Sequence, residues 1–216
     1  MEYNLGNQIE ALIKTSKKRL PEEIQAIFDK AIKELDQSVK IMGIKAGHMA
    51  PNFTLKNHLG DEVELQSVLE EGPVVLTFYR GAWCPYCNLQ LKAYQNVLTK
   101  IEALGAKLIA ISPQKPDDSL SIIEKHQLSF PVLSDMGLTV SKKYNIVYAL
   151  PEYLQKAYKT LGLDLETLNG DGSWQLPFAA TFIINQQGLI CYAFIDADYK
   201  KRMEPIDIIS ILELLK

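Results

Sequence analysis

The sequence predicts an α/β fold: a mixed central sheet flanked by helices, with an N-terminal helical extension in front of it. Three observations predict it. From Ala46 onward, short apolar runs alternate with stretches of helical periodicity, the order that packs helices across a sheet. Near the C-terminus, the runs 179–185 and 189–195 are joined by Gln186-Gln187-Gly188, a hairpin signal that adds antiparallel strands. Before position 43, Ile24, Ile27, Phe28, Ala31, Ile32, Leu35 and Val39 recur at three- and four-residue steps as one apolar stripe. Gly43 and Gly47 punctuate the change, so we read 1–43 as the helical extension and 44–216 as the α/β domain. A chain of 216 residues, 47% of them hydrophobic, can bury one good core.

The elements follow in order. A short helix is expected around Ile9 to Lys17, then a longer one that carries the stripe. Pro21 with Glu22 and Glu23 suits its first turn, where proline lacks only an orphan N–H and acids meet the positive end of the dipole. Short strands at 53–55 and 63–65 flank the turn Asn57-His58-Leu59-Gly60-Asp61. A buried strand at 73–80, a helix at 86–104, a strand at 107–112 and a helix at 116–126 come next, then a short strand at 130–133. Residues 135–170 read as mostly helical, including 152–161, and 169–173 as a loop. After the hairpin, a final helix opens near Glu204-Pro205, with Ile208, Ile209, Leu212 and Leu215 on its inner face.

Composition excludes several function classes. A formal net charge of −3 offers no basic excess for nucleic acid or an anionic membrane surface. The N-terminus has no apolar core after a basic start, so it does not read as a secretory signal, and no apolar run spans a bilayer. Three cysteines without an export signal point to the cytoplasm, where a disulfide is catalytic more often than structural.

Two of those cysteines, Cys84 and Cys87, sit in the octapeptide RGAWCPYC, where the strand at 73–80 meets the helix that follows. At a helix N-terminus the unpaired N–H groups and the dipole favour thiolate, the reactive form. Cysteines at i and i+3 there come within disulfide range, with Cα atoms about 5.5 Å apart. Pro85 between them fixes one φ at the helix opening. Arg80 adds a permanent cation; folded over the sulfur it would lower a thiol pKa and hold a polarised oxygen. Half of a zinc site would need two more ligands, and Cys191 and the three histidines lack the spacing. We therefore expect no metal and no cofactor. Cys191 reads as a buried, inert strand residue and Trp83 as a cover for the site or a packing residue. His48, His58 and His126 receive no role, and Asp196 and Asp198, in DADYKKR, read as a solvated loop.

RGAWCPYCN preceded by VVLTFY resembles the alkyl hydroperoxide reductase and thiol-specific antioxidant proteins, the peroxiredoxins, and most of all their peroxiredoxin-like Cys-x-x-Cys branch. Ala46 to Phe53 is similar to the family's opening G-x-x-A-P-x-F. Leu133-Ser134-Asp135 with Val140 and Tyr144, and Ala180 to Asn185 with Gly188, resemble two further family stretches. The resemblance covers roughly 44–216 and implies a thioredoxin fold. It implies a thiol peroxidase in which Cys87 is peroxidatic and Cys84 resolving, with a Cys84–Cys87 disulfide and Arg80 as a thiolate or peroxide stabiliser. Implied partners are a hydroperoxide and a thioredoxin or glutathione-type reductant, with a homodimer left open. Three positions depart from the family: Arg80 stands where it has proline, Cys84 where it has threonine, and Ala179 where it has arginine.

Two other readings stay open at this level. In a dithiol–disulfide oxidoreductase acting on proteins, Cys84 would be the nucleophile and Cys87 the resolving thiol. The buried acid and the later proline of a thioredoxin are replaced here by Phe78 and Ala179. In a redox-sensing module, the stripe from Ile24 to Val39 would bind a partner.

Overall fold

The computed structural model describes residues 4–39 and 43–216, excepting the side chains at 37–39 and 117–121. Residues 1–3 and 40–42, and the Val39 side chain of the expected stripe, lie outside the described residues. Strands β1 (Thr54–Asn57), β2 (Glu62–Glu64), β3 (Val74–Phe78), β4 (Lys107–Ser112) and β5 (Val132–Ser134) precede β8 (Ala180–Ile184) and β9 (Ile190–Ile195) in one sheet, ordered β2-β1-β5-β4-β3-β8-β9. Strands β3, β4 and β5 run parallel, β8 pairs antiparallel with β3, and β9 pairs antiparallel with β8, so the sheet is mixed as expected. Every residue of β3 is buried, which explains an apolar run broken by Thr77 alone.

Helix α4 (Pro85–Ala103) crosses from β3 to β4, and α9 (Pro205–Leu214) lies beside it. Ile208 and Leu212 are buried, with Ile209 and Leu215 packed at the margin, as the last helix's periodicity predicts. Helix α1 (Leu5–Arg19) begins four residues earlier than expected, because the Asn4 side chain caps it from outside by accepting from Asn7 N–H. It packs on α4 through Leu5 and Ile9, which belong to the same buried cluster as Cys84 and Cys87. In α2 (Glu22–Val39), Pro21 stands one residue before the helix rather than inside its first turn. The stripe residues Ile27, Phe28 and Ala31 pack against Leu150, Leu154, Tyr158 and Leu165, so these apolar side chains are spent on the chain's own core.

Three further expectations need correction. Residues 135–170 are not mostly helical. They hold a 3-10 turn (Met136–Leu138), α6 (Thr139–Lys143), α7 (Glu152–Thr160) and α8 (Leu165–Asn169), but also β6 (Val147–Ala149). Strand β6 pairs antiparallel with β7 (Gln175–Pro177) as a separate two-stranded ribbon. Strands of three residues are too short to show a period. Leu65 does not end a strand; it opens helix α3 (Leu65–Glu71) as a buried residue. The remaining helix, α5 (Pro116–His126), falls where expected. Cys191 is half-buried on β9, not buried.

The N-terminal helix is tied to the chain's far end. Glu204 accepts from Leu5 N–H at 3.0 Å and Gly6 N–H at 2.6 Å, satisfying two orphan donors at the positive end of α1. Replacing Glu204 with alanine is expected to cost about 1–2 kcal/mol, the range of a lost helix cap. Urea unfolding would read it as a lower midpoint at unchanged slope, with faster hydrogen exchange confined to the start of α1.

Candidate active site

The turn between β3 and α4 builds the site. Tyr79 N–H still bonds to Ile111 C=O, and the chain then leaves the sheet at Arg80. Gly81 has φ of +144°, and a Cβ there would lie 2.4 Å from Trp83 Nε1 and 2.9 Å from Gln114 Oε1, so only glycine fits. Gln114 accepts from Ala82 N–H, Cys84 N–H donates to Gly81 C=O, and Asn88 Nδ2 donates to Ala82 C=O, closing the turn. Cys84 becomes the N-cap of α4, Pro85 its first residue, and Cys87 its third. Both sulfurs are buried, at 1% and 0% exposure.

The structure brings Cys84, Cys87 and Arg80 together and adds a residue that the sequence reading missed. Arg202 Nη2 donates to Cys87 Sγ at 3.4 Å. Its Nη1 is held by the C=O groups of Tyr199 and Lys201, the latter at 2.7 Å, so the guanidinium is fixed by its own loop. The next residue is fixed as well: Tyr94 OH donates to Met203 C=O at 3.0 Å. Tyr94 and Gln90 lie on the face of α4 that carries Cys87, at i+7 and i+3. Gln90 Nε2 reaches Tyr94 OH at 3.1 Å and Thr77 Oγ1 at 3.3 Å, and Thr77 meets Thr181 at 3.1 Å. One buried polar network thus joins β3, β8, α4 and the 202–203 segment. Asp196 and Asp198, expected in a solvated loop, are half-buried in the turn before Arg202, paired with Lys201 and Lys200 at 3.0 Å.

Arg80 Nη2 donates to Tyr158 OH, and its guanidinium lies 4.1 Å from the Tyr199 ring centroid and 5.0 Å from that of Trp83. Ala179 is buried just before β8 and carries no charge. Among the described residues neither Arg80 nor Arg202 pairs with a carboxylate. Two buried cations without a carboxylate require another anion. Cys87 meets that need. Burial pushes its thiol up, but donation from the Cys84 S–H, the Arg202 and Arg80 cations and the Arg80 backbone N–H together lower it to about 5. Cys84 moves the other way. Burial raises it, as do donation to Cys87 and that sulfur's charge, and the two arginines offset this only in part. The pair holds one negative charge, on the second sulfur.

The AhpC/TSA family model matches residues 46–193, more than half of the chain. The chain belongs to the AhpC/TSA family. Among curated relatives it is 28% identical over 151 residues to a putative peroxiredoxin bcp of Haemophilus influenzae, covering 70% of this chain and 86% of that one. It is 35% identical over 103 residues to chloroplastic peroxiredoxin Q of Triticum aestivum, covering 48% and 47%. It is 29% identical over 103 residues to the thiol-disulfide oxidoreductase ResA of Halalkalibacterium halodurans, covering 47% and 57%. The chain thus spans about half the length of several curated relatives it matches. The solved structure of peroxidoxin BcpB from Mycobacterium tuberculosis superposes with a TM-score of 0.64 at 19% identity, over 80% of this chain and 99% of that one. A peroxiredoxin-like protein from Aquifex aeolicus gives 0.64 at 15%, over 81% and 89%. These likenesses carry the fold, which is the thioredoxin fold of the peroxiredoxins.

Arg202 lies beyond the family match, in a run of charges that reads as solvent-facing, and only its position after a turn of half-buried aspartates hints at an inward side chain. Replacing Arg202 with methionine removes the cation but keeps the bulk. The thiolate absorbance near 240 nm of the reduced protein should then rise at a pH at least one unit higher than in the parent, since losing the cation favours the neutral thiol. The fraction of Cys87 thiolate at pH 6 should fall accordingly.

Proposed function

We propose that the protein is a thiol peroxidase that reduces hydroperoxides through Cys87. The observation that carries this reading is the Cys87 thiolate against Arg202, with its proton partner Cys84 one helical turn away. In the first step the Cys87 thiolate attacks the terminal oxygen of the hydroperoxide. The O–O bond breaks, the terminal OH stays on the sulfur as sulfenic acid, and the alkoxide or hydroxide leaves and takes a proton from solvent. Arg80 Nε and Arg202 Nε are buried N–H groups without partners among the described residues, which suits them to hold the peroxide oxygens as charge develops. Arg80 and Arg202 thereby take over the task of the arginine that Ala179 replaces.

The second step follows from the coupled sulfurs. Once Cys87 is a neutral sulfenic acid, the like charge and the S–H donation that raised Cys84 both vanish. The same two arginines then favour the Cys84 thiolate, whose proton passes to solvent. It attacks the sulfenic sulfur, breaks the S–O bond and expels hydroxide, which takes up a proton to leave as water, and the Cys84–Cys87 disulfide closes. A thiol reductant reopens it. We place the cycle in the cytoplasm, where thiols are kept reduced, and we leave a homodimer open. No helix among the described residues is long and apolar enough to cross a membrane.

The likeness to a thiol-disulfide oxidoreductase favours a second reading, exchange with protein disulfides. That role needs Cys84 as first nucleophile, and the charge on Cys87 and raised Cys84 thiol weigh against it. Stopped-flow peroxide consumption and mass spectrometry after one equivalent of peroxide separate the two. We expect Cys87→Ser to lose peroxide reactivity altogether. Cys84→Ser should still consume one equivalent and gain one oxygen on Cys87, but fail to turn over. Consumption no faster than free cysteine by the parent protein would remove the peroxidase reading.

A further inference from the structure

A cavity of about 260 Å3 lies beside the cysteine pair, and the cysteine that lines it is Cys84, not Cys87. Part of that wall lies outside the AhpC/TSA match: Arg19 and Leu20 from the end of α1, and Phe28 from α2. Leu161 and Leu163, just after α7, face them, and Arg80 and Trp83 line it beside the sulfur. Among the described residues, Arg19 and Arg80 are the charged side chains that line it, with no aspartate or glutamate beside them. Arg80 Nε and Trp83 Nε1 are buried donors without partners among the described residues.

We propose that the reductant of the oxidised pair is a small thiol carrying a carboxylate, which enters this cavity and attacks Cys84. The inference rests on the reading that the pair cycles through a Cys84–Cys87 disulfide. Access argues for a small molecule. Cys84 is 1% exposed and roofed by α1 and α2, so a thiol fixed on another protein's surface would have to displace both helices. The cavity falls just below the roughly 300–1,000 Å3 of drug-sized ligand sites. Charge argues for an anion, because among the described residues the cavity is lined by two arginines and no acid. Apolar walls suit the short carbon body that joins carboxylate to thiol.

Leaving-group chemistry selects the sulfur. The incoming thiolate forms a bond to Cys84, the Cys84–Cys87 bond breaks, and its electron pair goes to Cys87, where Arg202 receives the charge. A second thiolate then attacks the reductant's sulfur in the mixed disulfide. The small disulfide leaves, and Cys84 departs as thiolate and takes a proton. Two thiols are oxidised for each protein disulfide reduced.

The test uses a Cys191→Ser background, which removes the half-buried third thiol. The protein is oxidised with diamide, so no peroxide is involved, and disulfide formation is checked by mass. Reduction is followed by stopped flow with 3-mercaptopropionate, 2-mercaptoethanol, cysteamine and a thioredoxin, each rate corrected to its thiolate concentration. We expect the anionic thiol to exceed the cationic one by about tenfold, with the neutral one between, and all three to exceed the thioredoxin. In Arg19→Glu, an exposed change at the cavity rim, the anion-to-cation ratio should fall toward one. A flat or reversed charge series, or fastest reduction by the thioredoxin, would overturn the inference. Failure of diamide to form the Cys84–Cys87 disulfide would instead remove the cycling reading beneath it.

Discussion

The contact between the Arg202 guanidinium and the Cys87 sulfur organises this molecule. A buried guanidinium is costly unless it meets an anion, and a buried thiolate is costly unless it meets a cation. Each resolves the other's cost here, and neither has a carboxylate to compete for it among the described residues. The surrounding structure is built to hold that contact. Loop carbonyls clamp one guanidinium nitrogen, Tyr94 fixes the adjoining Met203 carbonyl to α4, and Glu204 docks the first helix onto the same segment. Residues 202–204 therefore connect the redox sulfur, the redox helix and the N-terminal extension.

That arrangement gives the two cysteines unequal parts. Cys84 caps α4 and keeps its proton, whereas Cys87 sits inside the first turn and loses its own. In the proposed cycle, a single negative charge shared this way changes hands when the second sulfur is oxidised, so the same cations would serve successive steps. The N-terminal helices belong to this chemistry as walls. Leu20 and Phe28 enclose the cavity at Cys84, while Ile27 and Ala31 hold α2 on the α7 region.

Much of this was legible in the sequence where a physical period existed. The nearly all-apolar run of β3, the hairpin around Gly188 and the inner face of α9 each announced burial on a known repeat. The ribbon of β6 and β7 did not, because three residues show no alternation and their pairing spans a gap in sequence. The Cys84–Cys87 pair and Arg80 were legible from their place at a strand-to-helix turn. Arg202 was not. In the run DADYKKRMEP it looks like one more solvated charge, and only folding brings it 115 residues back to Cys87. The absence of an arginine at Ala179 was visible, but the arginine that touches Cys87 lies in a segment with no motif.

The most direct measurement is the NMR titration of the reduced protein with 13Cβ-labelled cysteine, which reports each sulfur's ionisation without depending on its accessibility. The account predicts that Cys87 ionises with a midpoint near 5 and that Cys84 remains protonated beyond the ordinary thiol range. Ionisation of Cys84 first, or of Cys87 only near the usual value of about 8.5, would contradict it.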